Sequence, residues 1–573
     1  MEKPFETNEQ KLVILCADTP LEPGSFNIIV TMCPIQHRLL EKKGVPNFLF
    51  ADFSPNEQQA KEVDSYLREK IEDGLHKERE SNSQLKWAPL ALQQVRWRLS
   101  HYLWVKECLK NIFNRFNYTS VFLSSQKQLE FVLALKALTS ERDIPLEIGN
   151  GEFNEPPNRT YLCLPYDLPE QVDPSWFVEL RWRVLRLLKP KTEVFYQWYW
   201  NLGRSLNSGY YFSFNHYRGI NFLGAARRKL LKLLKLLSDS VIDCPFSNSS
   251  EMLNVSLTAE AWQSFTNDEK DIIRFAIKRF FDRLPSPKID AVEKRLNRIF
   301  QLMRPKKIIL SSDQICSGRL LAYVAHRNNV QVDYLPHGIC WEDLLGPKKK
   351  SVFSMDHVLA WSIFSKQAYE RLGWSSYAIA HPRCSVSAKP YKPLKKKWEE
   401  VRVLFLVPEW FNVSLEGRHD ILTFSMIAVY EALMRIGVRP QNFHVKMAHA
   451  GAEVINQRKM EIFDSLKRDL GMDFIVCDSR LDSFELMADY DLVISGKTTG
   501  LFEVILQGIP LIIFAHSIRR IGALQNYPLS ACHSAQEIYD ALKDYDHEKM
   551  RNIYGEIVQS LQSGQRIDSL IGR

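Results

Sequence analysis

The chain is 573 residues long, 45% hydrophobic and 25% charged, with a formal net charge of +8. At about 100 to 200 residues per domain this length calls for more than one core, and the apolar content excludes a disordered chain. Its ten cysteines include no CxxC pair, so neither a disulfide framework nor a zinc cluster is expected and a reducing, cytoplasmic compartment fits best.

The first ten residues lack the apolar core of a signal peptide, and no uncharged apolar run approaches the roughly 20 residues that span a bilayer. Membrane contact is therefore expected only at the periphery. Short β-branched runs alternate with longer amphipathic stretches, the pattern of parallel α/β sheets. Strands are expected over 12–16, 27–32 and 47–50, and helices over 56–77 and 89–116. Two βαβ units then look alike. Residues 121–125 and 308–312 both end in Leu-Ser-Ser, and in each unit a glycine, Gly151 or Gly338, closes the second strand 26 residues after the last serine. Their likeness predicts neighbours in one sheet.

Between them, about 152–302, lies an insertion expected to be mostly helical. Residues 176–237 within it hold twelve Lys/Arg against two acids, more than the excess of the whole chain. Trp176, Trp182, Tyr196, Trp198, Tyr199, Trp200, Tyr210 and Tyr211 interleave with these cations. On a helix, Arg228, Lys229, Lys232 and Lys235 share one face and Leu230, Leu233, Leu234 and Leu237 the other, which suits docking on an anionic membrane surface. No nucleic-acid-binding motif accompanies the basic patch, so nucleic acid is not an expected partner.

Further along, a strand over 357–361 and an extended run over 377–380 precede a Lys- and Pro-rich stretch, 389–397, that reads as a linker. A second α/β unit follows, with strands over 401–407, 443–447, 474–477, 492–495 and 511–514 and helices over 421–436, 453–470, 501–507 and 535–542. Two doubly wound sheets set a cleft at the carboxyl ends of their strands, where ligands bind.

Three motifs lie at strand ends. Ser495-Gly496-Lys497-Thr498-Thr499 leads into a helix carrying Glu503. Backbone N–H groups and hydroxyls there suit a nucleotide phosphate, and Glu503 a ribose. Gly-Lys-Thr echoes a P-loop, but GxxxxGK[ST] needs glycine where Asp491 stands, so ATPase chemistry is not expected. Lys446 and His449 end another strand and can neutralise a phosphate leaving group in place of a metal. His337, before Gly338 and followed by Glu342, is placed for proton transfer or anion binding, and Asp313 is a candidate base. Asp18, Glu22 and Glu152 follow other strands and serve equally well as caps. No metal-binding or acyl-transfer motif is present.

Taken in order, His337-Gly338, the 356–361 strand with 368–373, His381-Pro382-Arg383, Lys446 to His449 and Ser495 to Pro510 resemble the GT-B glycosyltransferase superfamily. The likeness is to enzymes of bacterial surface-carbohydrate biosynthesis (capsule, lipopolysaccharide, O-antigen), similar to Kdo, sialyl and CDP-glycerol transferases, and covers about residues 300–515. Where that family has His-Pro this chain has His449-Ala450, and Gly496-Lys497-Thr498-Thr499 replaces a serine pair. The resemblance implies an acceptor-side domain, 1–388, a linker, 389–400, and a nucleotide-sugar domain, 401–573. Lys446, His449, Ser495, Gly496, Lys497, Thr498, Thr499 and Glu503 would hold the donor nucleotide, with His337, Asp313 and Glu342 at the reacting centre. The activity implied is metal-independent transfer of a sugar, from a CMP- or CDP-linked kind of donor, to a cell-surface polysaccharide or lipid-linked glycan at the inner face of the cytoplasmic membrane. Polyol-phosphate transfer from a CDP-alcohol and a non-catalytic role in polysaccharide assembly stay open beside it.

Overall fold

The computed structural model describes residues 10–15, 28–54, 57–81, 85–124, 129–149, 194–197, 210–212, 257, 260–310, 316–336, 351–380, 388–394, 397–407, 420–447, 453–478, 481–496, 498, 500–515 and 526–564. The chain is α/β, and among the described residues every strand pairs in parallel. Three sheets carry the fold, two of them in the N-terminal half.

The first sheet takes β1 (Lys11–Leu15), β2 (Ile28–Thr31), β3 (Phe48–Leu49), β4 (Ser120–Leu123) and β5 (Leu146–Ile148) in the order β3-β2-β1-β4-β5. Helices α1 (Pro34–Lys42), α2 (Glu57–Ser81), α3 (Leu92–Arg115) and α4 (Leu129–Glu141) belong to the same stretch. The second sheet takes β6 (Val194–Gln197), β7 (Tyr210–Phe212), β8 (Lys307–Leu310), β9 (Gln331–Tyr334), β10 (His357–Ala360) and β11 (Ser375–Ala378), in the order β11-β10-β9-β8-β6-β7. The insertion expected to be mostly helical thus supplies two strands as well as α5 (Asn267–Arg283) and α6 (Ser286–Met303). A reciprocal capping box, Thr266 with Glu269, starts α5. The left-handed Arg304, at φ 48°, ends α6. Helices α7 (Cys316–Arg327) and α8 (Ile363–Arg371) complete this unit.

The two look-alike βαβ units fall in different sheets: β4-α4-β5 in the first and β8-α7-β9 in the second. Their common spacing sets a local supersecondary unit, whereas sheet membership is set by which strand edge each unit meets. One hydrophobic core nevertheless joins both sheets. Leu12, Val30 and Val121 of the first share it with Ile308, Val332 and Val358 of the second, with Leu75, Tyr102 and Ile277 of the helices among them. Each such burial contributes about 1.5–3 kcal/mol. Two indoles of this core are hydrogen-bonded: Trp262 Nε1 donates to Glu78 Oε1 at 3.0 Å and Trp87 Nε1 to Asp290 Oδ1 at 3.0 Å.

The third sheet takes β12 (Val403–Val407), β13 (Phe443–Met447), β14 (Ile475–Val476), β15 (Leu492–Ser495), β16 (Leu511–Phe514) and β17 (Ala531–Cys532), in the order β14-β13-β12-β15-β16-β17. Its helices are α9 (Asp420–Ile436), α10 (Glu453–Leu470), α11 (Ser483–Met487), α12 (Gly500–Leu506), α13 (Ala535–Lys543) and α14 (His547–Gln562). Alternation along β12 divides the core in two. Val403, Phe405 and Val407 pack with side chains of α9, α10 and α13 on one face. Leu404 and Leu406 pack with side chains of α11, α12 and α14 on the other. This is a doubly wound sheet, buried on both faces, which explains its uninterrupted apolar strands.

The stretch expected as a free linker is fastened to this third unit. Lys389 N–H donates to Leu506 O and Lys392 N–H to Gly508 O, both at 2.8 Å. Gly508, at φ +68°, has no room for a β-carbon against the Pro390 carbonyl. The N-terminal half also meets the third unit on both faces. Helix α1 reaches the α9/α10 face, where Arg38 pairs with Glu431 at 2.6 Å and Lys42 donates to Leu470 O at 3.3 Å. On the α14 face, Tyr527 Oη lies 2.7 Å from both Ser362 Oγ and Ser365 Oγ, and Ile363 N–H donates to Ser560 Oγ at 3.1 Å. No helix among the described residues is long and apolar enough to cross a membrane.

Candidate functional site

Chain order along the third sheet reverses direction between β12 and β15, and such switch points open a crevice at the carboxyl ends of their strands. Pairing register places three residues in a row there: Lys446 of β13 beside Leu406 of β12, and Leu406 beside Ser495 of β15. Strand spacing puts the Cα atoms of Lys446 and Ser495 about 10 Å apart with buried Leu406 as the floor between them. Paired residues of a parallel ladder face the same way, so all three lie on the face that α11 and α12 cover.

The sheet ladder continues one residue past Ser495, because Gly496 N–H still donates to Leu406 O, at 3.4 Å. The chain turns only after that bond. Ser495 Oγ donates to Gly496 O at 3.0 Å and stands 3.4 Å from Thr498 Oγ1. Leu501 N–H donates to Thr498 O at 3.2 Å and starts α12. Gly500 fits closely here: a β-carbon would sit 3.2 Å from Thr498 Oγ1 and 3.3 Å from Leu406 Cδ1. The turn therefore lies directly on the end of β12, with two hydroxyls at its base. Glu503 is buried in the first turn of α12.

Lys446 is 3% exposed, and its Nζ donates to Asp478 O at 3.0 Å. Burial lowers its pKa from the ordinary lysine value, against the opposing pull of Cys477, Asp478 and Asp482. A buried ammonium at a strand end is suited to anion recognition, since a second oxygen anion there restores what desolvation removed. Asp482 caps α11, accepting from Phe484 N–H at 2.8 Å.

The structure thus brings together Ser495, Gly496 and Thr498, with Lys446 on the same row and Glu503 on the helix that follows. His449, Lys497, Thr499, His337, Asp313, Glu342, Asp18, Glu22 and Glu152 lie outside the described residues, as do Arg228, Lys229, Lys232 and Lys235. Two parts of the site had no prominence in the sequence. Leu406 is one apolar residue in an apolar strand, and the Asp478 carbonyl is a backbone acceptor. The sequence signal available beside them is Asp482 three residues before Glu485, the spacing of a helix start. Among the described residues, no group of three or more His, Cys, Asp or Glu side chains is placed to hold a metal ion.

No family model matches the chain, and no curated protein matches it. In structure it is similar to the lipopolysaccharide outer core galactosyltransferase WaaB, at 14% identity over 49% of this chain and 79% of that one, with a TM-score of 0.31. It is also similar to UDP-N-acetylglucosamine 2-epimerase from Rickettsia bellii, at 9% identity, 50% and 80% coverage and a TM-score of 0.30. A third similar structure is MurG from Acinetobacter baumannii, at 10% identity, 50% and 80% coverage and a TM-score of 0.26. The parallel α/β class is established by the chain's own three sheets.

Proposed function

We propose that the chain is a GT-B glycosyltransferase that moves a sugar from a nucleotide-sugar donor to a cell-surface or lipid-linked glycan. The observation that carries this reading is the row Lys446, Leu406, Ser495 at the switch point of the third sheet, closed by the Gly496-to-Thr498 turn. In this reading the donor phosphates lie between the Lys446 ammonium and the hydroxyls of Ser495 and Thr498, with Lys497, Thr499 and His449 adding donors. Glu503 accepts from the ribose. As the bond from the sugar to phosphate breaks, negative charge grows on the leaving phosphate, and Lys446 with His449 stabilises it without an obligatory metal.

The acceptor side belongs to the second sheet. Asp313 and His337 follow the carboxyl ends of β8 and β9, which are paired neighbours, and Glu342 follows shortly after. One of these three takes the proton of the attacking hydroxyl. The basic aromatic stretch around Arg228, Lys229, Lys232 and Lys235 holds the enzyme at an anionic membrane, close to a lipid-linked acceptor.

The test is a thermal-shift panel of CMP, CDP, UDP, GDP and TDP, followed by donor hydrolysis with the nucleotide that stabilises most. One nucleotide is expected to raise the melting temperature, and Lys446→Met and Thr498→Ala to abolish most of that rise. If no nucleotide stabilises the wild type, the transferase reading is wrong. Flotation with anionic vesicles tests the membrane part: equal binding by a variant with Arg228, Lys229, Lys232 and Lys235 reversed to Glu would overturn it.

A further inference from the structure

We propose that Tyr490 is a positioning residue for Lys446, fixing the turn whose carbonyl holds the lysine ammonium. This deepens the reading above and rests on Lys446 as the phosphate-binding cation.

The acceptor of Lys446 lies just beyond a short edge strand, in a turn where the same Asp478 carbonyl also accepts from Leu481 N–H at 3.3 Å. Asp478 leaves β14, a strand of two residues at the sheet edge, and Cys477 N–H carries the ladder one residue further, to Val445 O at 2.9 Å. So short an edge strand sets the direction of the following turn poorly. Tyr490, which precedes β15 in the chain, supplies a cross-tie. Its hydroxyl lies 3.0 Å from His444 Nδ1 and 3.5 Å from Cys477 Sγ. One oxygen therefore joins β13 to the residue adjacent to Asp478.

Proton directions follow from the acceptors. His444 Nε2 lies 3.2 Å from Gln441 O, a carbonyl that can only accept, so Nε2 carries the proton. Nδ1 then offers a lone pair, and the Tyr490 hydroxyl donates to it. The tyrosine oxygen in turn accepts from the Cys477 thiol. Burial lowers the pKa of His444, which keeps the ring in the neutral form this order requires. The Tyr490 ring is itself immobilised: it is 4% exposed, meets the His444 ring edge-on at 5.3 Å, and has the Arg402 guanidinium 5.0 Å from its centroid. His444 and Lys446 are two apart on β13 and project from the same face. The cross-tie and the ammonium are therefore neighbours on one surface.

Two variants attack the tie from opposite ends. Tyr490→Phe removes only the hydroxyl, and His444→Ala removes its acceptor. The first readout needs no nucleotide: the titration of Lys446, followed by NMR of reductively ¹³C-methylated protein with the resonance assigned through Lys446→Arg. Both variants are expected to lower the Lys446 pKa below the wild-type value, because the ammonium loses a fixed acceptor. The second readout is calorimetric titration of CDP and of UDP. Tyr490→Phe should weaken the nucleotide that binds by about fivefold, the ratio expected for one hydrogen bond, and should add nothing in a Lys446→Met background. A Lys446 titration unchanged in both variants overturns the proposal. If neither nucleotide binds wild type, a CDP- or UDP-linked donor is ruled out, while the titration still decides the role of Tyr490.

Discussion

Among the contacts between the N-terminal half and the third sheet unit, which on the α9 side include a buried cluster of Leu49, Ala51 and Phe424, two polar ones differ in chemistry. On the α14 face the Tyr527 hydroxyl is buried between two serines, with Ser362 0% and Ser365 1% exposed, and its ring packs 5.4 Å from Phe364. Across the sheet, at α1, the Arg38 to Glu431 pair is 37% and 43% exposed. Buried hydroxyl bonds depend on orientation, contribute about 1 kcal/mol each, and cost more when one partner is left bare. An exposed ion pair contributes roughly 0–1 kcal/mol and weakens with salt. The difference teaches that the two faces are not equivalent hinges. The Arg38 to Glu431 pair is expected to yield before the Tyr527 contact.

The comparison assumes that the N-terminal half moves as one body, and the largest prediction attacks that assumption. Trp262→Ala removes a core indole together with its bond to Glu78, and should cost about 3–5 kcal/mol by chemical denaturation. Because one core joins both sheets, hydrogen exchange should accelerate in β1 and β8 together. Faster exchange in β8 alone would show two independent bodies. Next in size, Tyr527→Phe should lower stability by about 1–2 kcal/mol, with little dependence on salt.

A third prediction uses pH to loosen the unit that carries the Tyr527 contact. Burial tends to raise the pKa of Asp333, but bonds from His357, Gln331 and Lys307 outweigh it and leave the value lowered. Asp356 is likewise lowered, burial being outweighed by His326 and the Val332 N–H. Such carboxylates stabilise fully above their unfolded pKa, near 3.8, and the contribution fades as pH falls through the lower folded value. His326 is raised, chiefly by its bond to Asp356, so its contribution is complete below about 6.5 and fades as pH rises through the folded value. The stability lost in His326→Gln should thus be flat from about pH 4 to 6.5 and shrink on either side. A loss that grows above pH 7 contradicts this assignment. The smallest effect belongs to α1: Arg38→Ala should cost less than about 1 kcal/mol, and less still at high salt.

Legibility in the sequence followed burial. Strands β12, β13, β15 and β16 are apolar runs cut off by charged or small residues, and the pattern located them within a residue or two. Strand β14 lies within the run expected at 474–477, whereas the short β17 carries too few residues for a period, β6 is held by pairing with β8, distant in the chain, and β7 by pairing with β6. Helix α14 carries mixed polar residues along its length, and its packing on α8 and α12 is a tertiary matter. In the candidate site, Ser495 and Lys446 stand out in the sequence because they lie at the ends of buried apolar strands, and Thr498 because it follows one. Tyr490 and the Asp478 carbonyl do not, since a hydroxyl's partners and a backbone acceptor leave no mark on spacing.

Gly508 carries a last consequence. Because the 389–392 strap is stitched to the carbonyls of Leu506 and Gly508, and the Tyr391 ring packs 5.2 Å from Tyr554, the covalent border of the C-terminal domain and its packing border differ. A fragment cut at Val401 would expose that groove and its two bare carbonyls. One cut at Ala388 would bring its own cover.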